Sequence, residues 1–163
     1  MNAPFNLEEY ILHHMQDSSQ WRLPFLPPLQ LPYFLSLHGL MLIIAAVFLV
    51  GLFCFVYDKK ARVPRRFTNL LEVLVIFIRD EIAVKSIGEE DGRRMTPFLC
   101  TMFFFILTLN LMGLIPIFSA ATANPNVTGA LAFFTLCFMI FGTIYKNGFK
   151  GFQKALVPAG VPK

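Results

Sequence analysis

The chain has 163 residues, 56% of them hydrophobic and 15% charged, with 19 phenylalanines, a mean hydropathy of +0.61 and a formal net charge of +4. Soluble domains carry about 25% charged residues, so the composition excludes an ordinary water-soluble fold and makes lipid the expected solvent. The positive charge does not point to nucleic acid, because the basic residues cluster beside apolar runs, as membrane topology requires.

Residues 1–34 are polar and Pro-rich and include Glu8, Glu9 and Asp17. A cleaved secretory signal has a basic start followed at once by a short apolar core, so this is expected to be a segment outside the membrane. His13 and His14 precede Asp17 without the further ligands a metal site needs. A first transmembrane helix is expected over 35–57, inside a charge-free run from Leu23 to Tyr57. His38, near its outer end, reads as an interfacial histidine able to respond to pH.

The span ends on Asp58-Lys59-Lys60-Ala61-Arg62-Val63-Pro64-Arg65-Arg66, five basic residues in nine. The positive-inside rule places that block in the cytoplasm and the N-terminus outside. Within the cytoplasmic loop 58–94, Phe67, Leu70, Leu71, Leu74, Val75, Ile78 and Ile82 recur at helical spacing. A crossing there would carry Glu72, Arg79, Asp80 and Glu81 into hydrocarbon at about 2.5–3.5 kcal/mol each near its centre. It would also put the two basic flanks on opposite sides. An amphipathic helix over about 66–85, lying on the cytoplasmic surface, meets both constraints, with Arg65, Thr68, Asn69, Glu72 and Arg79 on its polar face.

Arg93 and Arg94 mark the cytoplasmic end of a second span, 95–118, with Pro97 expected in its first turn, where a missing N–H costs nothing. Residues 119–127, centred on Asn124-Pro125-Asn126, have turn chemistry and form an outside loop. A third span, 128–145, returns to Lys146, Lys150 and Lys154. The cytoplasmic connector 146–163 ends on Val157-Pro158-Ala159-Gly160-Val161-Pro162, a pattern that ordinarily joins two elements. The expected fold class is therefore an all-α membrane protein, with three transmembrane helices and one amphipathic helix on the cytoplasmic face. Cys54, Cys100 and Cys137 fall one in each span and read as small apolar side chains.

No phosphate-binding Gly-rich loop, metal cluster or nucleophile with its base is present, so no free-standing enzyme and no cofactor are expected. Transport and assembly remain. Asn110 is the one strongly polar side chain of the second span. A buried amide needs hydrogen-bond partners, so it either packs helices together or lines an aqueous path. Gly113 and Pro116 are expected to bend and close-pack the helix end.

Read in order, Glu9-Tyr10-Ile11-Leu12-His13-His14, Val63-Pro64-Arg65, Asn69-Leu70-Leu71-Glu72, Phe77-Ile78-Arg79-Asp80-Glu81-Ile82, Ile87-Gly88, Arg93-Arg94, Pro97-Phe98-Leu99 and Asn110-Leu111-Met112-Gly113-Leu114-Ile115-Pro116 resemble subunit a of bacterial F-type ATP synthases. The closing Pro-Ala-Gly-Val-Pro connector is similar too. The resemblance implies a non-catalytic stator subunit of the inner membrane. Such a subunit faces the c-subunit ring, is held by the peripheral-stalk b subunits, and supplies two offset half-channels for protons that drive ATP synthesis. It places Asn110 toward the outer half-channel. The family continues past the connector into two helices carrying an essential arginine and most half-channel polar groups, so the chain is expected to be truncated and unable to translocate protons alone. The basic residues here flank the spans, and none matches that arginine. A contrasting expectation is a small three-span scaffold or assembly protein without transport activity, which the charge-free spans also suit.

Overall fold

The computed structural model describes residues 18–21, 27, 29–33, 35–56, 66–115 and 117–156. His13, His14, Asp17, the basic residues from Lys59 to Arg65, Pro116 and the connector from Val157 lie outside the described residues. Two compact units are distinguished, Met1–Thr122 and Ala123–Lys163.

In the first unit, α1 (Leu37–Gly51) runs on into a π-helical turn, Leu52–Val56. Ser36 starts it: the Ser36 hydroxyl accepts a hydrogen bond from the Gly39 N–H at 3.1 Å, satisfying one of the amides that a helix N-terminus leaves without a partner. Leu37, His38, Met41 and Ala45 are buried, whereas Ile43, Val47, Phe48 and Val50 are exposed. The buried set repeats every three to four residues, so one stripe packs on protein and the remaining apolar surface suits lipid. A two-residue antiparallel bridge, β1 (Gln20–Trp21) with β2 (Leu29–Gln30), precedes the helix.

A second helix, α2 (Arg66–Ile76), continues through a π-helical segment, Phe77–Val84, and a last turn, Lys85–Ile87. Gly88 then takes φ 96°, ψ 167°, a backbone conformation essentially reserved for glycine. There the helix stops and α3 (Glu89–Gly113) begins. Segment Phe77–Val84 folds back along the start of α3. At the crossing, a Cβ on Gly92 would stand 2.7 Å from the Ala83 carbonyl oxygen. Only a residue without a side chain allows the two backbones to come this close.

Burial divides α2 along a different line from polarity. Thr68, Leu71, Ile78 and Ala83 are buried, while Leu70, Val73, Phe77 and Ile82 are exposed. Thr68, expected on the polar face, thus lies on the stripe shared by Leu71 and Ile78, because 68, 71 and 78 fall on one side of a helix.

The start of α3 departs from the sequence reading. The helix begins at Glu89, so Pro97 sits in its third turn, well past the first. Charge complementarity accounts for the earlier start. Glu89, Glu90 and Asp91 occupy the first turn, where the helix dipole favours carboxylates. Arg93 and Arg94 reach back four residues to Glu89 at 3.2 Å and Glu90 at 3.5 Å. Around Pro97, the hydroxyls of Thr96 and Thr101 donate to the carbonyls of Gly92 and Pro97, each at 2.8 Å. Such back-bonding helps a helix tolerate proline in lipid.

Further along, α3 packs on α1. Phe53 meets Phe104 edge to face with centroids 5.3 Å apart, while His38, at the other end of α1, meets the chain just beyond α3. The two helices are therefore antiparallel.

The second unit is one long helix, α4 (Pro125–Leu156), interrupted at Gly148. Asn124 caps it: its side-chain oxygen accepts from the Asn126 N–H at 2.8 Å, and its carbonyl accepts from the Val127 and Thr128 N–H groups. Pro125 fills the first helical position, where proline's fixed φ fits and its missing N–H is not needed. Thr135 and Thr143 donate to carbonyls one turn back, so both hydroxyls are satisfied within the helix.

Three helices are long and apolar enough to cross a membrane: Leu37–Cys54, Glu89–Gly113 and Pro125–Gln153. The protein is an all-α membrane protein.

Candidate functional site

Four polar side chains outside the ion pairs, His38, Asn110, Ser119 and Thr122, gather where α3 ends. Thr108, Leu109 and Met112 are buried there, while Asn110 is exposed. The amide is therefore not sunk between helices of its own unit. Its partner comes from the loop that follows: the Thr122 hydroxyl donates to Asn110 Oδ1 at 2.7 Å. That contact uses an acceptor position of the side chain and leaves its NH2 group available as a donor.

A series of tight turns brings Thr122 back. Leu114, Ile115 and Phe118 each donate their N–H to the carbonyl three residues earlier, and a 3₁₀ turn, Ala121–Ala123, closes the reversal. Ala121 is fully buried. Gly113 allows the approach, since a Cβ there would lie 3.0 Å from that of Ala120.

Two distant parts of the chain hold the loop. Trp21 donates its indole N–H to the Ile117 carbonyl at 2.8 Å and stacks on Phe118 with centroids 6.5 Å apart. His38, only 1% exposed, brings Nε2 within 3.3 Å of the Ser119 hydroxyl. The result is a polar cap, His38 with Ser119 and Asn110 with Thr122, over an apolar helix pair. Such groups can orient water and exchange hydrogen bonds. Among the described residues, no group of three or more His, Cys, Asp or Glu is placed to bind a metal.

Charge lies at the opposite end of α3, about 24 Å from Asn110 along the axis between Arg94 and Asn110. Arg79 donates from Nε and a terminal nitrogen to the two carboxylate oxygens of Asp80, at 2.7 and 2.9 Å. Those hydrogen bonds hold the Asp80 carboxyl below the usual carboxylate range and raise the guanidinium further. Lys85 pairs with Glu81 one turn back. Glu72 is half-buried on α2.

Of the residues singled out from sequence, Asn110 stands at the polar cap and Arg79 at the charged end, while Glu72 is half-buried on α2. Thr122, Ser119 and Trp21 carry no sequence signal, because the groups that they bond lie 12, 81 and 96 positions away and meet them only in the fold. Asp80 was visible only as a charge, because adjacent residues on a helix point about 100° apart and are not natural partners.

An all-α multi-pass membrane protein, with a charged hairpin at one end of α3 and a polar cap at the other, is the class that these features define. Sequence comparison assigns it further: residues 39–163 match the ATP synthase A chain family, and the chain belongs to that family. It is 45% identical over 126 residues to ATP synthase subunit a of Anaeromyxobacter dehalogenans strain 2CP-C, covering 77% of this chain and 33% of the relative. The subunit of Chloroherpeton thalassium is 40% identical over 154 residues, covering 86% and 46%. That of Chlorobium phaeobacteroides strain BS1 is 37% identical over 157 residues, covering 88% and 46%. The chain thus spans about a third to a half of the length of these relatives. No solved structure matches it.

Proposed function

We propose that the chain is the N-terminal, membrane-anchoring part of the stator subunit of a proton-translocating rotary ATP synthase in a bacterial inner membrane. The match to the ATP synthase A chain family over residues 39–163 carries the proposal. The N-terminus lies outside, α2 rests on the cytoplasmic face with Glu72 and Arg79 toward water, and the c-subunit ring and peripheral-stalk b subunits are the partners. The role is non-catalytic.

Within that role, Asn110 and Thr122 line the mouth of the outer aqueous path. The amide is exposed, tied to the loop by a single hydroxyl, and retains donors for water. The spans between the flanking charges contain no arginine or lysine to hold a ring carboxylate in low dielectric, so these 163 residues alone do not carry the rotary step.

Two measurements test this. In the assembled synthase of full-length subunit, Asn110→Ala is expected to lower ATP-driven proton pumping about tenfold, as loss of one well-placed polar group in a transport path costs on the order of 1–2 kcal/mol. Asn69→Ala, at an exposed position of α2, is expected to leave pumping unchanged. Equal pumping by the Asn110 variant and wild type would remove the residue from the path. The 163-residue chain reconstituted alone is expected to show no proton flux that depends on the c ring, and robust flux would overturn the assignment.

A further inference from the structure

Beyond the stator role, the break in α4 creates a feature unrelated to proton transfer. From Pro125 to Asn147 the helix is about 34 Å long, close to the thickness of a hydrocarbon core of about 30 Å. At its end, Tyr145 is 95% exposed, as befits an aromatic side chain at the membrane boundary. One turn later, Gly148 takes φ 67°, ψ 172°, a conformation essentially confined to glycine. The chain is helical again from Phe149 to Leu156, but no longer along the same axis.

The short helix is amphipathic. At about 100° per residue, the register positions of Phe149, Phe152 and Leu156 fall within an arc of about 60°. Those of Lys150 and Lys154 lie together on the other side. Phe149 is 63% exposed. No acidic residue occurs anywhere after Asp91, so α4 and its continuation contain no carboxylate to neutralise these lysines.

We propose that residues 149–156 form an interfacial anchor that binds anionic phospholipid. The Gly148 break turns the segment into the plane of the headgroups. The register face of Phe149, Phe152 and Leu156 lies toward the acyl boundary, and the register face of Lys150 and Lys154 toward the headgroup phosphates. The occupant is a lipid and not a protein, because the segment follows directly on a membrane-length helix. Its two faces also match the two layers found at that depth, apolar on one side and cationic on the other.

The test uses the chain with Cys54, Cys100 and Cys137 replaced by alanine, Gln153→Cys labelled with bimane, and reconstitution into phosphatidylcholine vesicles. Brominated phosphatidylglycerol or brominated phosphatidylcholine is titrated in as the quencher. Half-quenching is expected at a mole fraction about 25-fold lower for the anionic lipid, since each of the two lysines near an anionic surface contributes roughly fivefold. Lys150→Gln with Lys154→Gln should make the two lipids equivalent while leaving quenching by the acyl bromines in place. Gly148→Ala, which favours a straight continuation, should weaken quenching by both. Equal quenching by the two lipids in the lysine-bearing chain overturns the proposal. So does the absence of quenching by either, which would mean that protein or bulk water covers the segment. A lipid preference that survives loss of both lysines overturns it as well.

Discussion

Replacing Gly92 by alanine adds one carbon at the tightest point of the α2–α3 hairpin. Its Cβ would lie 2.7 Å from the Ala83 carbonyl oxygen, 2.8 Å from the Ala83 carbonyl carbon and 2.8 Å from Val84 Cα. All three neighbours are backbone atoms, so no rotamer change relieves the clash and the helices must separate. Overpacking of this kind costs about 1–3 kcal/mol. Alanine's better helix propensity returns about 1 kcal/mol, leaving a net loss of up to about 2 kcal/mol. Gly129→Ala supplies the control: nothing lies within 4 Å of a Cβ there, so only the propensity gain of up to about 1 kcal/mol remains. The two variants, each measured by reversible unfolding in mixed micelles, should therefore differ by about 1–3 kcal/mol, with Gly92→Ala the less stable. Loss of the close approach should also appear as increased reactivity of a cysteine placed at Ala83, which is fully buried in the native hairpin. Equal stabilities for the two alanine variants would refute the close approach of Gly92 to Ala83.

Three further outcomes are expected. Asn124→Ala removes the side-chain acceptor for the Asn126 N–H and should destabilise the start of α4 by about 1 kcal/mol; faster amide exchange at residues 126–128 is the readout, and unchanged exchange counts against the cap. The folded-state pKa of Asp80 is depressed by Arg79, so its contribution to stability is present above the ordinary value near 3.8 and is lost as pH falls through the lower folded value. Acid unfolding below about pH 4 should accordingly be shallower in Asp80→Asn than in wild type, by a small margin because the pair is exposed; identical acid profiles would exclude the contribution. Trp21→Phe keeps a ring against Phe118 but loses the hydrogen bond to Ile117, and should lower stability by about 1 kcal/mol, measured by thermal circular dichroism in detergent. No change would mean that the indole N–H contributes nothing to the cap.

Much of this protein is written locally. Hydropathy depends only on which side chains occur in a window of about 20 residues, so the three membrane-length helices follow from the sequence by itself, as does the family resemblance. The start of α4 is equally local, because Asn124 and Pro125 act on amides within four residues of themselves. The early start of α3 was legible in principle, through Gly88 followed by three acids and two arginines at helical spacing. Pro97 obscures it, because proline's preference for the first turn of a helix points to a start several residues later.

Other features depend on residues that meet only after the chain has folded. Trp21 finds Ile117 across 96 positions, and His38 finds Ser119 across 81. The requirement for glycine at 92 exists only because Ala83 is folded back upon it. Asn110 is the clearest case. Its polarity in an apolar helix could be read directly, with two meanings open, whereas its exposure and its hydroxyl partner were decided by a loop reversal. Local composition determines which segments enter the membrane, because transfer energies are properties of single side chains. Which polar atoms meet is a matter of distance, and distances between remote segments are set by packing alone.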